Sequence, residues 1–226
     1  LSPNKEGPFL PVNLSALPDN MAESELFGHE RGAFTGAETR RDGILRAAGS
    51  GTVFLDEIAE LSLNLQPKLL RALEAREVRA VGSDRPTPFH ARILAATHRD
   101  LQEMVSNGKF REDLYYRLNV IHIHVPSLRE RPEDIPSLVR ALLKRQTERL
   151  GFPPPPLSPE LMQTLCAHHW RGNIREISNV LERALLLAEG GRIEFEHLPR
   201  DIRNHADEGF QLQEAMDRFE RHHITT

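Results

Sequence analysis

The sequence predicts an α/β domain built on a mainly parallel sheet, followed by a small domain made of helices alone. Three observations carry this expectation. Up to about Val125, short apolar runs alternate with segments of helical periodicity, the pattern of strands joined through crossover helices. After Pro126 every apolar pattern has helical spacing and no strand-like run recurs. The run Pro153–Pro156 then forbids helix and acts as a stiff spacer between two helical segments.

Taken in order, strands are expected at residues 9–14, 52–56, 91–97 and 120–125. Leu65, Leu69, Leu70 and Leu73 recur at helical spacing between the second and third. Pro67 has no amide donor, so it belongs in the first turn of that helix, with Asn64 as its expected N-cap. Gly82, Ser83, Asp84, Pro86 and Pro88 mark residues 77–89 as a hairpin-like insertion. In the second half a helix opens between Pro132 and Pro136, carries Leu138, Val139, Leu142 and Leu143 on its apolar face, and ends by Gly151. Ser158 before Pro159 starts the next helix as cap and first turn. A third carries Ile174, Ile177, Leu181, Ala184, Leu185 and Ala188 on one face. The expected domains are therefore 1–125, 126–199 and a polar linker over 200–226.

Composition narrows the function classes. With 39% hydrophobic and 27% charged residues in a 226-residue chain, there is ample mass to bury a core. A net charge of -4 argues against a module that coats nucleic acid, since such modules carry a basic excess. Cys166 is the only cysteine, so no internal disulfide can form and a reducing compartment is expected. No apolar run reaches the length of a membrane span. The chain starts at Leu1 and stops in a charged helical pattern around Asp217–His223, so a fragment of a longer cytoplasmic protein is expected.

Five segments stand out as candidates for function. The apolar run Thr52–Leu55 ends abruptly in Asp56 and Glu57. A carboxylate at the carboxyl end of a buried parallel strand is placed to hold Mg²⁺ through water, and a second can orient or deprotonate an attacking water. An apolar strand ending in an acidic turn is the plain alternative. A second strand ends in Thr97 and His98, which face the same crevice if the strands are neighbours, or form a structural pair if they are not. Arg111 and Arg117 offer guanidinium forks suited to phosphate oxygens, against the alternative of a solvated charged helix. Gly172 and Asn173 break the chain and cap a helix that projects Arg175 from its first turn, while Trp170 reads as a core anchor. Finally, Gly32 and Gly36 bracket Ala33, Phe34 and Thr35 in a flexible loop. Its aromatic either stands in water awaiting a partner or folds back into the core. The histidines at 122, 124, 168, 169, 222 and 223 lack partners at metal-ligand spacing; His122 and His124 share a face of the expected fourth strand.

Together these segments resemble the AAA+ domains of sigma-54-dependent activators, from about Pro8 to Pro199. The run ESELFGHERGAFTGA contains that family's GAFTGA hallmark at Gly32, Ala33, Phe34, Thr35, Gly36 and Ala37. GTVFLDE resembles its Walker B strand, ATHRDL its first sensor, FREDLYYRL its arginine-finger segment and WRGNIRE its second sensor. The resemblance implies a P-loop-type three-layer α/β/α domain with a small helical lid. It implies Asp56 for Mg²⁺, Glu57 for catalysis, Thr97 and His98 as sensor, and Arg111 and Arg117 as fingers. Arg175 would face the nucleotide, and Asn13 would hold Glu57 in an inactive pose. The hairpin around Gly82–Pro88 would support the GAFTGA loop.

The same resemblance implies an ATPase using ATP and Mg²⁺, assembled as a homo-oligomeric ring, a hexamer by family. Its partner would be the sigma-54 RNA polymerase holoenzyme, gripped by the GAFTGA loop, with enhancer DNA bound through a C-terminal domain outside this chain. Arg171 stands where the family usually has proline, and Pro67 is unusual beside KLLRAL. No GxxxxGK[ST] occurs in the sequence, and the resemblance places that phosphate loop before Leu1. Two other readings stand beside this one: a generic AAA+ remodelling ATPase, and a non-enzymatic regulator that keeps the fold.

Overall fold

A computed structural model describes residues 6–203. The expected charged helical pattern near Asp217–His223, and most of the linker from residue 200, lie outside the described residues. The chain divides into two compact units between His122 and Ile123.

In the first unit, β1 (Phe9–Asn13), β4 (Thr52–Asp56) and β7 (Arg92–Ala95) form a parallel sheet in the order β1-β4-β7. Helices α1 (Asp19–Phe27) and α2 (Ile44–Ala47), between β1 and β4, and α3 (Gln66–Ala75), between β4 and β7, provide the crossovers that parallel pairing requires, and α4 (Leu101–Ser106) and α5 (Glu112–Leu118) follow the last strand. Alternation sends Val12, Val53 and Leu55 to one face of the sheet, where they are buried in a core with Leu26, Leu45, Leu69 and Leu114. The other face carries Phe9 and Leu94, both exposed, with Phe54 stacked on Phe9. Two short antiparallel pairs complete the unit. The strands β2 (Gly28–His29) and β3 (Arg41–Asp42) close the stem of the GAFTGA loop. The strands β5 (Glu77–Val78) and β6 (Thr87–Pro88) make the expected hairpin insertion.

The second unit is helical: α6 (Ile135–Leu150), α7 (Pro159–Ala167) and α8 (Asn173–Leu187). Pro136 sits in the first turn of α6, which closes on Gly151 in the left-handed conformation. Ser158 caps α7 by accepting from the Leu161 amide at 3.1 Å. Val139, Leu143, Leu165, Ile177 and Leu181 share one core with Trp170, whose indole Nε1–H donates to the Leu165 carbonyl at 2.7 Å. Among the described residues no helix is long and apolar enough to cross a membrane.

Several sequence expectations need correction. Residues 120–125 form no strand, and Val120, Ile121, Ile123 and Val125 are 74–79% exposed. A strand exists only if a neighbour takes its backbone groups, and alternation alone supplies none. His122 and His124 therefore share no strand face. The cap residue of α3 is Leu65, not Asn64, because a 3-10 turn at Ile58–Glu60 leads into the helix and leaves Asn64 exposed; Pro67 does occupy the first turn. Leu14 leaves β1 for a 3-10 turn, and the third strand stops at Ala95. Ile174 is exposed, since the buried stripe of α8 begins one turn later at Ile177.

Trp170 fills the helical core and satisfies a buried carbonyl. Trp170→Ala should cost about 3–5 kcal/mol in urea unfolding followed by far-ultraviolet circular dichroism. A loss below about 1 kcal/mol would show that Trp170 is not the anchor of this core.

Candidate functional site

The site begins at the carboxyl end of β4. In register, Asn13 of β1 stands beside Asp56 of β4, so two polar side chains meet where the apolar strands end. Parallel pairing then continues one step past the strands. The Ala96 amide donates to the Leu55 carbonyl at 2.9 Å and the Ile58 amide to the Ala96 carbonyl at 3.0 Å. These two bonds hold Glu57 between them, and it adopts φ 55 and ψ 50. A non-glycine residue in this left-handed region costs about 1–3 kcal/mol and persists only where its surroundings enforce it.

That backbone turn aims the Glu57 carboxylate at the end of the neighbouring strand. His98 Nδ1–H donates to both carboxylate oxygens, at 3.0 and 2.9 Å. Glu57 is the more covered of the two, with His98 mostly in solvent. Thr97 turns back on its own chain, its Oγ1 accepting from the Arg99 amide at 3.1 Å, and Arg99 pairs with Glu60 at 2.6 Å. Asp56, half-buried, has no hydrogen bond or ion pair among the described residues, so both its oxygens are open. The structure thus brings Asp56, Glu57, Thr97 and His98 together, with Asn13 alongside. The carboxamide oxygen of Asn13 accepts from the Ser15 amide and hydroxyl, at 3.0 and 2.7 Å. In this conformation the partner of Glu57 is His98 and not Asn13.

Arg111 and Arg117 lie on the segment of α5. Arg111 is the cap residue, and its guanidinium makes a two-pronged pair with Asp113, at 3.0 and 2.6 Å, with both side chains 45% exposed. The hydrogen bonds from Arg111 hold the Asp113 carboxyl below its usual range, and the same pairing raises the Arg111 guanidinium further. Arg117 donates to the Leu73 carbonyl at 2.8 Å, in the last turn of α3, so one of its amino groups already has a structural use. Arg175 belongs to the second unit, exposed in the first turn of α8; Asn173 accepts there from the Leu128 amide at 2.7 Å.

The GAFTGA loop is a closed turn rather than an open one. Gly32 and Gly36 take φ values of +80° and +98°, with open space around each, so their backbone conformation and not crowding calls for glycine. The Gly32 amide donates to the Ala37 carbonyl at 2.8 Å, and the Ala37 amide to the Phe34 carbonyl at 3.0 Å. Phe34 answers to neither extreme expected of it, being 43% exposed with its ring edge-on to His29 at 5.0 Å. The hairpin does support this loop. The Glu30 amide donates to the Val81 carbonyl and the Val81 amide to the Gly28 carbonyl, while a Cβ on Gly82 would lie 2.9 Å from that of Ala33.

Two residues of this unit carry no motif that singles them out in the sequence. His29 is buried beneath the loop: its Nε2–H donates to the Thr39 carbonyl at 3.0 Å, so Nδ1 accepts from the Ser24 hydroxyl at 2.7 Å. The ring therefore joins both stems of the loop to α1. Gln66 is wholly buried and hydrogen-bonded to Leu61, Lys109 and Arg111. Its signal is its position on the apolar stripe of α3, three residues before Leu69.

His29→Phe keeps a ring against Phe34 but removes both hydrogen bonds. The substitution should destabilise the chain by about 1–3 kcal/mol, because the buried Ser24 hydroxyl and the part-buried Thr39 carbonyl lose their partner. Amide hydrogen exchange at Gly32 and Ala37 should accelerate with it. Unchanged exchange at those amides would show that the loop closes without the histidine.

The comparisons with known proteins give the family and the fold. Residues 1–124 match the Sigma-54 interaction domain, and residues 129–215 match the AAA+ ATPase lid domain. The chain is 49% identical over 189 residues to the transcriptional regulatory protein FlbD of Caulobacter vibrioides, covering 84% of this chain and 42% of FlbD. It is 50% identical over 198 residues to the regulatory protein AtoC of Escherichia coli, covering 88% of this chain and 43% of AtoC. NtrX from Brucella abortus, solved in complex with ADP, matches with a TM-score of 0.82 at 34% identity, over 96% of this chain and 51% of NtrX. NtrX in complex with ATP gives the same score and identity over 97% of this chain. The chain spans about half the length of these relatives or somewhat less. It belongs to the sigma-54 interaction domain family, as the AAA+ domain of a sigma-54-dependent transcriptional regulator followed by its helical lid.

Proposed function

We propose that this chain is the motor through which a sigma-54-dependent activator hydrolyses ATP to remodel the closed promoter complex of the sigma-54 RNA polymerase holoenzyme. One observation carries the reading: Glu57 is held in a left-handed turn at the end of a parallel strand, engaged by His98 and adjacent to the open carboxylate of Asp56. Crevices at the carboxyl ends of parallel strands are where such sheets bind ligands, and enforced strain of this kind gathers at reactive positions.

The carboxylates at the strand end fit Mg²⁺. Asp56 offers hard carboxylate oxygens free of competing cations, as a water-bridged Mg²⁺ requires. ATP with Mg²⁺ supplies a transferable phosphoryl group whose developing charge must be neutralised. Glu57 orients the attacking water and accepts its proton at a carboxylate oxygen that His98 gives up. His98 and Thr97, at the end of the neighbouring strand, sense that change. Asn13, the register partner of Asp56, can take Glu57 in an idle state once Ser15 releases its carboxamide.

The arginines act between subunits of a homo-oligomeric ring, a hexamer. Arg111 exchanges an exposed ion pair, worth little in water, for the phosphates of a neighbour's nucleotide. Arg117 has further donors beyond the one given to Leu73. Arg175, on the lid, faces the nucleotide. The loop at Gly32–Ala37 contacts the sigma factor through the apolar face of Phe34 and the hydroxyl of Thr35, and the protein works in the cytoplasm, tethered to enhancer DNA by a separate domain.

In the protein expressed from the complete gene, Asp56→Ala should abolish Mg²⁺-dependent ATP turnover. Glu57→Ala should keep nucleotide binding and lose hydrolysis. An Asp56→Ala protein that turns over ATP at the parent rate would remove the Walker B assignment.

Thr35→Ala should separate motor from load. It lies in a loop without a group suited to phosphoryl transfer, so ATP turnover should stay largely intact while open-complex formation disappears. Both assays belong on one preparation. A joint loss would place the loop in the catalytic machinery, and no loss in either would remove its coupling role.

A further inference from the structure

We propose that Gln66 is a positioning residue that ties the turn carrying Glu57 to the backbone that presents Arg111. The inference rests on the reading of Arg111 as the group offered to a neighbouring subunit's nucleotide, and names what holds it in place.

Gln66 is 0% exposed and stands at the first position of α3, on the side that packs into the core. A side-chain amide in that setting must find partners, and Gln66 finds three. Its Nε2 donates to the Leu61 carbonyl at 2.9 Å and to the Lys109 carbonyl at 3.3 Å. Its Oε1 accepts from the Arg111 amide at 2.8 Å. Carbonyls only accept and the backbone amide only donates, so the orientation of the carboxamide is fixed by its partners.

Each partner has a place in the site. Leu61 closes the 3-10 turn Ile58–Glu60, whose cap residue is Glu57. Lys109 and Arg111 lie more than forty residues further along the chain, as the lead-in to α5, and Arg111 is its cap residue. A hydrogen-bonded path therefore runs from the Ala96 carbonyl through the Ile58 amide, the Glu57 turn and Leu61 to Gln66, and from there to Arg111. Two connections meet at one buried amide, and among the bonds described no other side chain ties one to the other. The Arg111 side chain is exposed and held only by its surface pair with Asp113, so the direction in which it leaves the protein is set at its backbone. That backbone is what Gln66 holds.

Gln66→Met keeps length and volume and removes all three hydrogen bonds, and it tests the assignment in the protein from the complete gene. Amide exchange comes first because it needs no enzymatic activity: protection should fall at Arg111 while the later turns of α3 keep theirs. Unchanged protection at Arg111 would overturn the proposal, whatever the ATPase result. ATP turnover should fall about a hundredfold, as expected for a misplaced catalytic group.

Mixed rings then locate the defect. Gln66→Met subunits mixed with Glu57→Ala subunits should recover activity, since intact base and well-placed arginine meet at some interfaces. Gln66→Met mixed with Arg111→Ala should recover none, because every interface lacks a competent arginine. Recovery with Arg111→Ala would place the defect on the Glu57 side and overturn the assignment. Absence of recovery with either partner would reduce Gln66 to a general folding role. An Arg111→Ala and Glu57→Ala mixture run in parallel separates the two levels: if it too stays inactive, action between subunits fails, and the exchange result alone decides Gln66. Should Gln66→Met not fold, Gln66→Glu keeps the acceptor for the Arg111 amide, so that amide should remain protected; its deprotection would equally overturn the proposal.

Discussion

The parallel pairing of β4 with β7, carried past the strand ends to Ile58 and Ala96, is the constraint on which the site depends. The Ala96 amide on Leu55 and the Ile58 amide on Ala96 are ordinary backbone bonds, and the chain between them passes through Glu57 in a left-handed conformation. The energy for that strain comes from the sheet and from the core beneath it, where Val53, Leu55 and Ile58 are buried. In return the turn separates two adjacent carboxylates. Asp56 stays open at the strand end, while Glu57 swings across to His98. Two neighbouring acids with different surroundings can divide metal binding from proton transfer, which two equivalent ones could not do as well.

Much of this arrangement is legible in the sequence. The abrupt passage from Val53, Phe54 and Leu55 to Asp56 and Glu57 announces a strand end. Paired with the strand that runs toward Thr97 and His98, it points to the crevice. Pro67, Pro136 and Pro159 locate the first turns of three helices, because a residue without an amide donor is tolerated there. The features that are not legible depend on long-range partners. Residues 120–125 have the alternation of a strand but no neighbour that makes them one. The left-handed turn at Glu57 is imposed by Ala96, some forty positions away, and no local propensity calls for it. Gln66 is hidden in plain view: a polar residue on an apolar stripe signals a buried network, but spacing does not name its partners.

The loop shows a similar division. Its glycines mark a turn, and the turn forms, but its geometry is settled by residues outside it. His29 links the stems, and Val81 and Gly82 of the hairpin lie against the base. The ring of His29 leaves Phe34 half covered, which makes the exposed aromatic less costly in water while keeping it at the surface. A closed turn resting on two separate supports can change position as a body when either support moves, without having to order itself on meeting a partner. That matters energetically, since ordering a flexible segment on binding consumes part of the interaction it makes.

Burial separates what is fixed in this unit from what is free to exchange partners. The Arg111–Asp113 pair lies in solvent, where such pairs add little to stability and are weakened by salt, so exchanging it for another anion costs little. Gln66 has no such freedom: each of its three bonds replaces water that cannot reach it, and losing one leaves a buried polar group unsatisfied, at about 1–3 kcal/mol. Arg117 lies between the two, with one donor committed to Leu73 and the rest of its side chain exposed. An arginine that must meet a phosphate on another molecule needs a mobile tip and an immobile root. Under the role proposed for Arg111 between subunits, Asp113 and solvent would supply the first condition and Gln66 the second.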